Sequence, residues 1–209
     1  MTPEAVAALF TRSDSSYLFA RWGRPIVPVV FGVDDVTLAV VKGALEAVVA
    51  LAGHEMEEVD AELGANLMMF FCRDWDELLG VPNLAQLVPG LDALLDRLVA
   101  ADANQYRIFR FDPSGAIKAA FVFLRMDAHL SVVPAETLAL SQAVQVIVLW
   151  SDLAFRETSC LAMVGNRAVL RPDIAAVIRA GYGAAMPKQA TDASHALRIA
   201  ARAGQDFSG

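Results

Sequence analysis

Apolar and polar positions recur along the first part of the chain at spacings typical of both strands and helices. Residues 24–32 are rich in β-branched side chains but contain two prolines, which cannot donate to a sheet ladder, so we predict an edge or first strand. Residues 36–52 carry apolar side chains at helical spacing between Asp34 and Gly53, a combination that predicts a capped helix. Residues 65–72 form a short apolar run typical of a central strand.

The rest of the chain predicts a hairpin surrounded by helices. Residues 105–111 and 116–126 have strand character and are joined by a turn of Asp, Pro, Ser and Gly. Pro134 opens a helix that runs to about residue 150, and because it is apolar on nearly every face we expect it to be buried. The remaining predicted helices cover residues 4–11, 74–79, 83–102 (with a break at Pro89 and Gly90), 171–181 and 190–203.

The order of these elements predicts the fold class. Beyond the first helix it is β-α-β-α-β-β-α-α-α, which favours an α+β fold in which helices pack on a mixed sheet. We expect an N-terminal helix and extension over residues 1–20 and a single domain over residues 21–209.

Composition narrows the function classes. Although 56% of the residues are hydrophobic, the apolar runs at residues 26–33 and 138–150 are too short or too interrupted to supply the ~20 residues of a membrane span. A net charge of −7 and the lack of a basic stripe disfavour nucleic acid as a partner. The N-terminus has no cationic start followed by a long apolar run, so we expect no signal peptide and a cytoplasmic protein.

Residues that could bind a metal or react as nucleophiles are sparse. Cys72 and Cys160 could form one bridge, although two buried free thiols are the simpler interpretation. Acidic side chains from Glu55 to Asp60 follow His54, but no second histidine lies at ligand spacing, which favours a solvated loop. We therefore expect neither a metal nor another cofactor.

The most informative polar residues lie in the apolar helix after Pro134. Ser141, Gln142 and Gln145 occupy positions i, i+1 and i+4, and positions i and i+4 share one helix face. A zinc peptidase fills this spacing with His-Glu-x-x-His, because two imidazoles one turn apart bind zinc and the glutamate activates its water. Glutamine cannot act as a general base, and neither Ser nor Gln is a usual zinc ligand, so metal-assisted hydrolysis is chemically implausible.

Several short motifs follow one another along the chain: Trp22-Gly23-Arg24-Pro25, Leu51-Ala52-Gly53, Ala65-Asn66, Gln145 with Asp152, Leu170-Arg171-Pro172-Asp173-Ile174 and Tyr182-Gly183. In the order of these motifs the chain resembles an uncharacterised bacterial family of unknown function with many lipoprotein-like members, and its closing segment resembles that of metzincin-like domains. The resemblance covers roughly residues 20–183 and implies a zincin-like layout, with Ser141 and Gln142 in place of a pair of acids. It also adds Asp152 to Ser141, Gln142 and Gln145 as the candidate pocket.

Three functions remain open at this point. The first is a non-catalytic, zincin-like domain that binds a protein or peptide partner, although the three helix polar groups could instead satisfy one another inside the core. The second is a hydrolase with an atypical, non-zinc site built from Asp152, Glu157 and His129. The third is a structural subunit that self-associates through the helix at residues 190–203.

Overall fold

The computed structural model describes residues 1–58 and 64–205 of the chain. Within them, the strands are β1 (Phe19–Ala20), β2 (Pro28–Phe31), β3 (Leu67–Cys72), β4 (Gln105–Phe111), β5 (Ile117–Arg125), β6 (Leu161–Val164), β7 (Arg167–Leu170) and β8 (Gln189–Ala190). The α-helices are α1 (Pro3–Ala8), α2 (Asp35–Ala52), α3 (Leu84–Leu87), α4 (Leu91–Ala100), α5 (Ala135–Ile147), α6 (Pro172–Tyr182) and α7 (Ser194–Gln205). Short 3₁₀ helices lie at Trp75–Gly80 and Leu130–Val132.

A four-stranded mixed sheet in the order β2-β3-β5-β4 forms the centre of the fold. β2 runs parallel to β3, and β3 runs parallel to β5, whereas β4 is antiparallel to β5. The proline-containing strand therefore lies at one edge and the apolar run after residue 65 lies inside the sheet, which confirms both predictions. The hairpin of β4 and β5 is also confirmed, and β4 forms the second edge.

Helices cover both faces of the sheet because successive strand side chains point in opposite directions. On one face, Val122 and Leu124 of β5 pack with α2, α5 and α6 in the larger core. On the other face, Phe121 and Phe123 pack with Trp75 and the apolar side chains of α3 and α4. The predicted α+β class, a mixed sheet packed with helices, is confirmed.

Helix α2 begins and ends as its sequence predicts. Asp34 Oδ1 accepts a hydrogen bond from the Thr37 backbone N–H at 2.7 Å, which satisfies a donor that the first turn leaves free. Gly53 ends the helix with φ at 64°, a left-handed conformation that glycine adopts without a steric penalty.

Helix α5 is buried as expected but ends at Ile147, three residues before the predicted end. Its last carbonyls accept hydrogen bonds from three aromatic side chains outside the helix, so the chain is free to become extended at Val148. These bonds run from Trp150 Nε1 to Val144 O (2.8 Å), from Trp22 Nε1 to Val146 O (2.8 Å) and from Tyr182 Oη to Ile147 O (2.7 Å).

Several elements differ from the sequence predictions. The β6–β7 hairpin and the β1–β8 pair were not predicted, and the segment at residues 74–79 is a 3₁₀ rather than an α-helix. The predicted break at Pro89 and Gly90 is confirmed, because residues 83–102 form two helices separated there. Among the described helices, none combines the length and apolar character that crossing a membrane requires.

The first 20 residues contribute to the larger core. Val6, Phe10 and Phe19 are fully buried, and the Phe10 ring stacks on Trp150 with the ring centroids 5.3 Å apart. The Ser151 backbone N–H donates to Leu9 O at 2.8 Å. This segment therefore supports the chain that leaves the C-terminal end of α5.

Candidate functional site

Gln142 connects helix α5 to the edge strand β4. Its side chain is buried, its Oε1 accepts a hydrogen bond from Arg107 Nη2 at 2.6 Å, and its Nε2 donates to Gln105 Oε1 at 2.9 Å. Arg107 Nη2 also donates to Gln105 Oε1 at 3.1 Å. The three side chains thus form a closed polar network between the helix and the strand.

Ser141 and Gln145 bind each other instead of joining this network. Gln145 Nε2 donates to Ser141 Oγ at 2.9 Å, and Ser141 Oγ lies 3.9 Å from Cys160 Sγ. Cys160 and Cys72 are buried free thiols. Burial raises the pKa of Cys160, so its thiol stays protonated at neutral pH and is a weak nucleophile.

Asp152 is exposed and joins two loops. Its Oδ1 accepts a hydrogen bond from the Ser13 backbone N–H at 3.0 Å, and its Oδ2 lies 3.7 Å from Arg156 Nη2. The hydrogen bonds from Ser13 lower the pKa of the Asp152 carboxyl group. The loop after α5 is thereby tied to the segment between α1 and β1.

The four candidate residues line two separate cavities. Gln145 and Asp152 line a cleft of about 580 Å³, whereas Ser141 and Gln142 line a smaller cavity of about 340 Å³. Arg107 lines the larger cleft, and its hydrogen bond to Gln142 places its guanidinium group at the boundary between the two.

The larger cleft lies between β4, residues 149–155 and the loop at residues 12–14, and its volume falls within the ~300–1,000 Å³ of typical ligand sites. Phe155 adopts a φ of 63°, which is strained for a bulky side chain, and its ring packs edge-on against Trp150. Much of the wall is aromatic, from Tyr106, Phe109, Phe111, Trp150 and Phe155.

The backbone of β4 presents an unpaired hydrogen-bonding edge to this cleft. Arg125 N donates to Asn104 O at 2.8 Å, which fixes the phase of the antiparallel ladder and turns the backbone groups of residues 104, 106, 108 and 110 toward β5. The N–H and C=O groups of Gln105, Arg107 and Phe109 therefore point away from β5.

Within residues 1–58 and 64–205, no backbone or side-chain group pairs with these three outward positions. Ile108 and Phe109 point to opposite faces of the strand, and both line the cleft. This is expected when the edge of the strand, rather than one face, forms the wall. Among the described residues, the edge of β4 is thus unpaired along its length.

Arg107 is the site residue that sequence reasoning missed. Its Nε is buried without a hydrogen-bond partner, and it forms no ion pair with any carboxylate of the described residues. Burial lowers the pKa of Arg107 to about 10, so the group remains a cation at neutral pH. The period-two pattern of residues 105–111 places Gln105 and Arg107 on the face toward the apolar helix, and this pattern is the signal that could have identified them.

The residues of the hydrolase hypothesis are spread over the surface. Asp152, Glu157 and His129 are all exposed, and none of the described cavities is lined by all three. In α7, Ala200 is buried while Leu197 is exposed.

Among the described residues, no three or more His, Cys, Asp or Glu side chains are grouped to hold a metal. Asp60, part of the acidic stretch after His54, lies outside the described residues.

No known family model, curated protein or solved structure matches this chain. Function is therefore inferred from the geometry of the cleft.

Proposed function

We propose that this chain is a non-catalytic, zincin-like domain that binds an extended peptide segment, which adds to β4 as a further strand. The observation that carries the proposal is the unpaired outer edge of β4 along a cleft of about 580 Å³. In strand addition, main-chain hydrogen bonds supply affinity, and pockets for alternate side chains supply specificity.

The two edges of the sheet differ in a way that favours β4 as the binding edge. β2 has four residues and begins with Pro28, and both shortness and proline protect an edge from pairing. β4 has seven residues and no proline. A long edge without such protection risks aggregation unless it has a partner, which a peptide ligand would provide.

The walls of the cleft suit an extended peptide. Side chains that alternate along an added strand would meet aromatic rings on either side of β4, such as Tyr106 on one face and Phe109 on the other. Trp150 and Phe155 form the opposite wall. Aromatic side chains are enriched in binding interfaces because they bury a large apolar area.

The chemistry of α5 favours binding over hydrolysis. Gln142 and Gln145 are neutral amides whose hydrogen bonds go to Arg107, Gln105 and Ser141. An amide cannot accept a proton from water at neutral pH, so these side chains supply no general base.

The proposal is tested with a displayed library of random dodecapeptides and two variants of β4. Phe109→Pro removes an outward N–H, whereas Phe109→Ala removes the same ring and keeps that N–H, so the pair isolates the backbone bond. We expect peptides selected on the wild type to bind Phe109→Pro at least about tenfold more weakly than Phe109→Ala, since a lost hydrogen bond and a blocked edge both oppose pairing.

Circular dichroism spectra and melting temperatures must first show that both variants fold. Equal affinities for the two folded variants, or a library that yields no binder to the wild type, would contradict strand addition.

A further inference from the structure

Arg107 has hydrogen-bond partners but no counter-charge. Its Nη2 donates to the amide oxygens of Gln105 and Gln142, which carry only partial negative charge. Its Nε is buried and has no partner, and no carboxylate of the described residues lies within ion-pair distance. One cation of the protein is thus held at the edge of the cleft without an anion.

Such an arrangement is costly in the free protein. Buried charges are normally paired, because a charge taken out of water loses its hydration and regains stability only from an opposite charge. Burial lowers the pKa of Arg107 to about 10, which reflects this loss of hydration. A bound anion would compensate the charge.

The guanidinium group is also held in place. Gln142 comes from α5 and Gln105 from β4, so the two amides fix Nη2 from two different elements. A guanidinium that is held in this way can meet a carboxylate with a charge-assisted hydrogen bond and little further loss of freedom.

We infer that Arg107 binds a carboxylate of the peptide that occupies the cleft, either its C-terminal carboxylate or the side chain of an Asp or Glu. This inference rests on the proposed function and names the chemistry that the peptide must carry. The outward backbone groups of Arg107 lie in the same wall, so one residue would supply both a main-chain and a side-chain contact.

A carboxylate fits the surroundings better than a phosphate. The rim carries the acids Asp14 and Asp152 beside the cation Arg12, and this net negative charge repels a doubly charged anion more than a singly charged one. A doubly charged phosphate generally requires several cations or backbone N–H groups, whereas one arginine matches the single charge of a carboxylate.

Four probes separate the sources of the anion. They are acetyl-Ala-Ala-Phe with a free C-terminus, the same tripeptide as its amide, acetyl-Ala-Glu-Phe amide, and inorganic phosphate. Titrations followed by NMR give their dissociation constants for the wild type. We expect one of the two carboxylate-bearing tripeptides to bind at least about tenfold more tightly than the neutral amide, because charge-assisted hydrogen bonds are about twice as strong as neutral ones.

Three variants show whether this preference depends on Arg107. In Arg107→Met it should disappear, and in Arg110→Met, which removes a cation from the same strand on the opposite face, it should remain. In Gln142→Glu the new carboxylate would pair with Arg107 and also remove the preference.

The results that overturn the inference are distinct from those that overturn strand addition. Equal binding of acid and amide, a preference that persists in Arg107→Met, or tighter binding of phosphate than of both carboxylates would each contradict the carboxylate anchor. If the anchor fails while selected peptides still distinguish Phe109→Pro from Phe109→Ala, strand addition stands alone. If the preference for a carboxylate depends on Arg107 but peptides bind Phe109→Pro and Phe109→Ala equally, the carboxylate anchor stands and strand addition is contradicted.

Discussion

Arg107 and Gln142 differ in how far the fold satisfies their polar groups. Both amide ends of Gln142 are hydrogen-bonded, so this side chain is complete within the described residues. Arg107 keeps an unpartnered Nε and an unpaired charge. Gln142 could be predicted from the sequence because it is a polar residue in an apolar helix. The lack of a counter-charge for Arg107 depends on which side chains surround it in the fold, and a local sequence pattern does not contain that information.

His195 predicts a loss of stability in mild acid. It is 3% exposed, its Nδ1 lies 2.9 Å from Tyr17 Oη, and its Nε2 is buried without a partner. Burial, with a smaller contribution from the charge of Arg198, lowers the pKa of His195 from 6.5 to about 4. Between these two values the unfolded chain binds more protons than the folded one, so stability falls as the pH is lowered through that range.

The effect is measured by urea unfolding at pH 7 and pH 4. We expect His195 to account for roughly 3 kcal/mol of the loss, at about 1.4 kcal/mol per pH unit. His195→Asn, which keeps an acceptor near the position of Nδ1, should lose less stability by that amount. An identical pH dependence in both proteins would show that His195 is already accessible to protons in the folded state.

At the scale of elements, α5 shows where sequence periodicity stops being informative. Its apolar pattern continues to about residue 150, yet the helix ends at Ile147 because its last carbonyls have partners on other segments. Trp22 and Tyr182, which provide two of these partners, are distant from α5 in sequence. The end of the helix is therefore set by tertiary contacts that the periodicity cannot contain.

Tyr182→Phe tests this control of the helix end. Tyr182 Oη donates to Ile147 O at 2.7 Å and accepts from Trp22 N at 3.3 Å, so the change leaves two buried backbone groups without partners. We expect the free energy of unfolding to fall by roughly 2 kcal/mol. Tyr106→Phe, on the edge strand, serves as the control and should change it by less than about 0.5 kcal/mol. Equal effects in urea unfolding would mean that the Tyr182 hydroxyl does not support the end of α5.

The strands show the same division between local and global information. The hairpin and the central apolar strand were predictable because alternation and turn composition are local. The order β2-β3-β5-β4 was not, and it alone makes β4 an edge strand. The candidate site therefore could be predicted only in part. Gln145 was named from its helix spacing and Asp152 from the motif resemblance, while the backbone edge that they face required the sheet order.

At the scale of the whole molecule, the described helices cover the two faces of the sheet but not its two edges. The larger core joins α2, α5 and α6 to one face, and the 3₁₀ helix with α3 and α4 covers the other. The N-terminal segment and the loop after α5 are packed together through Phe10 and Trp150 and stand across the cleft from β4. The fold thus holds one edge strand opposite an aromatic wall, an arrangement suited to receiving a further strand.

The most direct test of this account is amide hydrogen exchange along β4, with and without a library-selected peptide. In the free protein, the outward N–H groups of Gln105, Arg107 and Phe109 should exchange much faster than those of Tyr106, Ile108 and Arg110, which pair with β5. On addition of the peptide, the three outward amides should become protected while the other three change little. A peptide that binds and leaves Gln105, Arg107 and Phe109 exchanging at their free rates would contradict strand addition to β4.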